Sequence, residues 1–223
     1  MCGRFVSRTD AAMERAFNVT PRQWRHDWAS YNVAPTQAVP VVRLAEGQRV
    51  GDMLRWGLVP AWAKGRPTRY STINARLESI ESAASYRGPW RHGQRCLIPA
   101  LGYYEWQAVA GSKQPWFIRL AGGEPFAFAG LWECSRGDDG NAVESCTIIT
   151  VPANPMVADI HSKARMPAIL APEALDTWLN APAAEARMVL ATCPADIMDA
   201  YRISSRVNSP RNNGQELLEP VET

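Results

Sequence analysis

The residues with the most chemical promise stand at the start of the chain, Met1-Cys2-Gly3-Arg4-Phe5. A small residue after Met1 suits removal of that methionine, which leaves Cys2 with a free α-amine and a thiol on neighbouring carbons. The ordinary pKa of such an amine, about 7.7–8.0, leaves on the order of a tenth of it unprotonated at neutral pH. The free amine can condense with an aldehyde to a Schiff base. The thiol can then close onto the imine carbon to form a five-membered thiazolidine, and an aligned closure of this kind carries an effective molarity on the order of 10⁵ M or more. Gly3 lets the backbone come close to a substrate, and Arg4 can hold an anion such as phosphate. By position alone, Cys2 would more often be an apolar residue of a first strand, so other segments must decide.

Competing chemistries find little support. There is no G-x-S-x-G, H-E-x-x-H, Walker loop or G-x-G-x-x-G after a strand. The histidines, His26, His92 and His161, are not paired at metal-ligand spacing. No metal and no cofactor is expected. The five cysteines are odd in number, irregularly spaced and without a C-x-x-C. That argues against a disulfide framework or zinc module and for a reducing cytoplasm. No signal peptide or membrane span is expected.

With 24 basic and 22 acidic residues the formal charge is only +2, which excludes a strongly basic protein coating nucleic acid but allows a local basic groove. Nine tryptophans exceed what one core of this size usually needs. Most read as core; two or three could be platforms for unstacked bases.

The elements that must position these groups are mostly short strands, punctuated by evenly spread Pro and Gly. The pattern predicts a helix over Asp10–Asn18 with Thr9 as its cap, and strands over Ala38–Leu44 and Val50–Trp56. Further strands are expected at Arg95–Pro99, Tyr103–Gln107, Trp116–Leu120, Phe126–Leu131, Ser145–Val151, Ala168–Leu170 and Tyr201–Ile203. Helices are expected at Pro172–Leu179 and Ala183–Ala191. Strands outnumber helices, so the fold class expected is α+β: a single domain, residues 1–223, around a curled, barrel-like mixed β-sheet with a few peripheral helices. The core should span about residues 2–208, with an irregular tail from Ser209.

Six segments then change the odds for Cys2. Met1-Cys2-Gly3-Arg4, Tyr31-Asn32-Val33-Ala34-Pro35, Arg55-Trp56-Gly57-Leu58-Val59-Pro60, Ile73-Asn74-Ala75-Arg76-Leu77-Glu78, Gly102-Tyr103-Tyr104-Glu105-Trp106 and Asp159-Ile160-His161 occur in order. Together with the closing Val207–Asn212 segment they resemble the SRAP family, the SOS-response-associated peptidases or abasic-site processing proteins. The resemblance implies the SRAP fold and a nucleophilic Cys2. Its implied substrate is the ring-opened aldehyde of an abasic deoxyribose in single-stranded DNA, captured as a covalent DNA–protein crosslink that shields the site. By the same analogy Asn74 would hydrogen-bond the opened sugar, Glu105 would act as general acid/base, and His161 would be a second proton-transfer group. Taken singly, Asn74 reads as a turn residue, Glu105 as a solvated strand acid and His161 as a loop histidine.

For DNA contacts, Arg4 and Arg76 are the first choices for phosphates, with Asn32 and Thr150 as polar helpers and Arg165 a weaker candidate. Pro35, Trp62 and Trp106 resemble positions that pack against bases. One departure concerns the family pattern His-x-Arg-Met-Pro, which here reads His161-Ser162-Lys163-Ala164-Arg165-Met166-Pro167, two residues longer. Two other functions stay open. One is a Cys2-dependent peptidase, most plausibly self-directed as autoproteolysis, using His161 with Glu105 or Asn74. The other is a non-covalent reader of damaged bases. Weak lyase activity is expected as a side path of Schiff-base formation, and the protein is expected to act as a monomer.

Overall fold

The computed structural model describes residues 2–25 and 28–221. Met1, on whose removal the aminothiol reading depends, and His26 lie outside the described residues. In chain order the elements are β1 (Phe5–Arg8), α1 (Ala11–Phe17), β2 (Thr20–Pro21), β3 (Ala29–Val33), β4 (Ala38–Ala45), β5 (Gln48–Trp56), β6 (Asn74–Arg76), α2 (Arg87–Arg91) and β7 (Arg95–Ala100). They continue with β8 (Gly102–Val109), β9 (Ser112–Leu120), β10 (Phe126–Arg136), β11 (Ala142–Pro152), α3 (Pro155–Ile160), β12 (Arg165–Pro167), β13 (Ile169–Leu170), α4 (Leu175–Asn180), α5 (Ala183–Met188) and β14 (Met198–Arg202).

The architecture is the expected α+β one, a curled mixed sheet with short peripheral helices. Its ring is explicit in the pairings. β5 pairs antiparallel with β4, β4 with β7, β7 with β10 and β10 with β11, and β11 returns to β5 through the parallel contacts Ser145↔Arg55 and Cys146↔Trp56. That parallel seam makes the ring mixed. A second sheet, in the order β14-β9-β8-β1-β3, packs over it.

Strand parity divides the interior. Phe5 and Tyr103, opposite each other in the β1–β8 ladder, face the main core. There Phe5 meets Trp56 and Phe128 edge-on at centroid distances of 5.0 and 5.7 Å. Val6, Tyr104 and Phe117 face the other way, into a smaller core closed by Ile203, Val207 and Leu217. The core thus extends past Asn208, because Leu217 is fully buried on the back of the second sheet.

On the barrel's flank Asp52 is completely buried, yet it accepts from Arg22 Nε at 2.9 Å and Arg43 Nε at 2.7 Å. Arg43 also binds Glu144 and stacks on Trp132. A buried charge satisfied this fully is tolerated, whereas removing one partner would strand the rest.

Several boundaries differ from expectation. The cap of α1 is Asp10, whose side chain accepts from Met13 N–H. Thr9 is unavailable because its hydroxyl accepts from Trp28 N–H and donates to the Arg25 carbonyl. Pro172–Leu179 divides into a 3₁₀ turn over Pro172–Ala174 and α4. α5 stops at Met188, where Leu190 N–H turns back to the Arg187 carbonyl. No helix among the described residues is long and apolar enough to cross a membrane.

Gly102 opens β8 where a Cβ would lie 2.2 Å from the Phe117 ring and 2.8 Å from the Ile118 carbonyl oxygen. Neither can move without opening the β8–β9 ladder. Gly102→Ala should therefore destabilise the protein by about 1–3 kcal/mol, as overpacking typically does, read as a lowered midpoint in urea unfolding.

Candidate active site

The β1–β8 register governs the site. Phe5 lies opposite Tyr103, and Tyr104 N–H donates to the Arg4 carbonyl, so the chain start runs antiparallel along β8 towards Glu105. Cys2 is completely buried, its thiol within 3.6 Å of the Arg4 carbonyl oxygen. From the other side, β6 lies parallel to β11 with Asn74 opposite Ile148. This places the Asn74 side chain so that Nδ2 donates to the Cys2 carbonyl at 2.8 Å. The Tyr86 hydroxyl fixes the Asn74 backbone through its carbonyl at 3.0 Å. Asn74 Oδ1 is buried and has no hydrogen-bond partner among the described residues. An orphaned buried acceptor of this kind is what a ligand hydroxyl or amine would satisfy.

Glu105 is two residues beyond Tyr103 on the same inward face of β8 and only 2% exposed. A solvated strand position is thus excluded for this acid. Burial penalises the charged carboxylate and lifts its pKa to about 7. His161 follows the last turn of α3, with Nε2 3.6 Å from Glu105 Oε2. Its Nδ1 accepts from Lys163 N–H at 3.3 Å, which puts the ring proton of the neutral imidazole on Nε2, the nitrogen facing Glu105. Burial, reinforced by the positive charge of the chain terminus and then by the Lys163 cation, lowers the His161 pKa to about 4, so the ring is neutral at physiological pH. Burial and the Glu105 carboxylate push the Cys2 thiol far above its ordinary range. The pocket therefore suppresses charge on all three groups.

The structure brings Cys2, Asn74, Glu105 and His161 to one place and sorts the remaining candidates. Arg4 donates to Asn32 Oδ1 and to the carbonyls of Val207 and Asn208. Asn32 Nδ2 donates to the carbonyls of Val207, Ser209 and Asn212. Asn32 is thus buried and committed to clamping the C-terminal segment. Arg165 forks onto Glu78 and donates to the Thr150 carbonyl and hydroxyl, so the longer loop after His161 leaves it docked on β11. Thr150 itself is buried. Arg76 is exposed at the end of β6.

One cleft opens on this centre and a second reaches the chain neighbour of Asn74. One, of about 460 Å³, has Glu105 and His161 among its lining residues together with Trp106, Lys113, Lys163 and Asn208. Trp106 Nε1 donates to Asn208 Oδ1, tying this wall to the C-terminal segment. The other, of about 350 Å³, runs past Pro35, Arg55, Arg69 and Tyr70 to Ile73, the neighbour of Asn74. It continues to Trp62, which is 56% exposed and braced by its Nε1 on the Ala84 carbonyl. Sequence reasoning missed Tyr70, Arg69, Lys113 and Lys163. They are surface residues whose relevance comes only from the cleft they border, and residue type alone carried no signal for them.

Residues 1–210 match the family described as SOS response associated peptidase (SRAP). The chain belongs to the SRAP family. Among its relatives, the abasic site processing protein YoqW of Bacillus subtilis is 42% identical over 98% of this chain and 99% of its own length. The abasic site processing protein HMCES of Gallus gallus is 34% identical over the whole chain and 78% of its own. Among solved structures, a Bordetella bronchiseptica protein superposes with a TM-score of 0.81 at 28% identity, covering 91% of this chain and all of the other. One from Bacteroides thetaiotaomicron gives 0.76 at 27% identity, covering 96% and 92%. The SRAP fold expected from the motifs is thereby shown.

Holding Glu105 inside has a measurable cost. Its pKa is raised in the folded protein, so its favourable contribution is complete below the unfolded value near 4.5 and is lost as pH rises through about 7. Above that pH the buried carboxylate destabilises the fold. Glu105→Gln should therefore raise Tm at pH 8 by an amount equivalent to roughly 1–3 kcal/mol, with the gain vanishing near pH 4. Calorimetry across that range checks it; an equal gain at both pH values would contradict it.

Proposed function

We propose that this protein captures abasic sites in single-stranded DNA covalently, through the amine and thiol of Cys2 once Met1 has been removed. The observation that carries the reading is the Asn74 bond to the Cys2 carbonyl. It fixes the first residue of the mature chain beside a buried acid whose pKa lies near neutrality. The names of the relatives, abasic site processing proteins, point the same way.

The step follows from these groups. The Cys2 amine attacks C1′ of the ring-opened sugar, and the aldehyde oxygen becomes a carbinolamine hydroxyl. Glu105, protonated for a large fraction of the time near pH 7, gives a proton to that hydroxyl, which leaves as water. The Cys2 sulfur then adds to the iminium carbon. Its proton returns to the Glu105 carboxylate, giving a thiazolidine and one water overall. His161, neutral and carrying its proton on the nitrogen that faces Glu105, supports the carboxylate between the two transfers. Asn74 Oδ1 accepts from a sugar hydroxyl. Ring closure competes with β-elimination from the imine, so strand cleavage by the lyase route is the minor path.

The order of attack is a consequence of burial. A cysteine peptidase needs a thiolate, stabilised by a neighbouring cation or helix terminus. Here burial and Glu105 raise the thiol's pKa. The amine is the stronger candidate for first nucleophile, and the thiol acts after the iminium has formed next to it. Proteolysis, including removal of the chain's own N-terminal residue, is the less favoured reading.

Mature protein mixed with abasic single-stranded DNA should gain the mass of the oligonucleotide less one water, and Cys2→Ala should form no heat-stable adduct. The initial rate should be bell-shaped in pH. It is limited below about 7.7 by protonation of the amine and above about 7 by ionisation of Glu105. Glu105→Gln should lose the alkaline limb. A wild-type protein with a verified Cys2 terminus that forms no adduct would remove the proposal.

A further inference from the structure

Besides fixing the imidazole through Lys163 N–H, the longer loop after His161 carries the exposed Lys163 side chain to the cleft on which Glu105 and His161 open. The loop is held in that course by backbone geometry: Ala164 lies in the left-handed region at φ 46° and its N–H donates to the His161 carbonyl. From the other side the exposed Lys113, on β9, borders the same cleft. Of the residues lining it, Glu105 is the one acid, and it is at the buried end. Trp106 supplies an apolar wall. The cleft is thus a groove of about 460 Å³ with two exposed lysines among its lining residues. Neither lysine has a carboxylate partner among the ion pairs of the described residues.

We infer that Lys163 and Lys113 form a phosphodiester subsite that holds one of the DNA phosphates next to the abasic sugar. The inference rests on the proposed capture of abasic DNA and adds a side to it. The other cleft, with Arg55 and Arg69, reaches Ile73, the chain neighbour of Asn74, whereas this one is lined by Glu105 itself. A strand that occupies both clefts would therefore pass from an arginine-bordered groove to a lysine-bordered one. Lysine suits the second role. It is a mobile point charge that follows a backbone phosphate without demanding the bidentate geometry of arginine. Arg4 and Arg165 spend donors on groups within the protein, whereas Lys163 and Lys113 present exposed charge at this cleft.

Lys163→Gln is the informative variant, because it keeps the N–H that binds His161 and removes only the charge. With an abasic oligonucleotide at low salt, crosslinking should slow about fivefold, and the slope of log rate against log salt should weaken by about 0.7, the value for one single-strand phosphate. Lys163→Arg should restore the rate, and Lys163→Glu should slow it further.

A second measurement locates the phosphate. In oligonucleotides whose phosphodiesters around the lesion are replaced one at a time by uncharged methylphosphonate, a single position should slow the wild type and leave Lys163→Gln no slower than it already is. Lys113→Gln should show the same position. Equal rates for wild type and both glutamine variants, or slowing by the variants at every methylphosphonate position alike, would overturn the subsite. Failure of the capture reading looks different: the wild type would then form no adduct with any of these substrates.

Discussion

The antiparallel register of β1 on β8, with Phe5 opposite Tyr103, is the constraint on which the rest depends. In a strand pair a shift of one residue exchanges the two faces. Such a slip would turn Tyr103 and Glu105 towards the C-terminal segment and Tyr104 and Trp106 into the barrel. Two aromatic cores on opposite faces oppose it. Phe5 and Tyr103 meet Phe128 inside, while Tyr104 packs on Phe117 outside at 5.3 Å. The hydrophobic packing of the sheet thereby also holds an acid in a place where an isolated carboxylate would not choose to be.

The polar residues of the N-terminal segment serve the same end. Arg4 and Asn32 direct their donors at carbonyls of Val207, Asn208, Ser209 and Asn212, groups left open where a 3₁₀ turn over Ser205–Asn208 ends. Asn213 returns the contact by accepting from Ser30 Oγ and Tyr31 N–H. The irregular segment after that turn becomes a fixed wall of the cleft, since its backbone carbonyls find donors within the protein. Arg4 remains only half-buried, so its charge still contributes to the field at the mouth of the site.

The strands of this arrangement are legible in the sequence, because alternation and turn residues are local signals. The end of β5 alternates in the structure as its residue types do, with Leu54 and Trp56 inward and Met53 and Arg55 only half-buried. The shared parity of Tyr103 and Glu105 is also readable, although residue type alone argues for a solvated acid. The cap of α1 is misread because Thr9 and Asp10 are equally good caps locally, and a distant loop at Trp28 claims the threonine. Asn32 and Arg165 cannot be read at all. Their partners are about 175 and 87 residues away in the chain, and an Asn or Arg that holds the fold looks the same in sequence as one that holds a phosphate.

A buried site that stabilises no charge well would be a poor place for acid–base chemistry if the reaction began from an anion. The reverse holds when the nucleophile must arrive neutral. An amine is reactive only when unprotonated, and a carboxylic acid donates only while it keeps its proton. The second condition is met by the desolvation that lifts Glu105 to about 7, and the same burial keeps His161 neutral by depressing its pKa to about 4. The same burial holds the thiol as a thiol until an iminium, the one strong cation the proposed reaction generates, forms beside it. That cation lowers the cost of ionising the sulfur at the moment the sulfur is needed. On this view the low polarity of the pocket sets the sequence of bond-making, amine first and thiol second, and the Glu105 carboxylate left by the first step takes the thiol proton in the second.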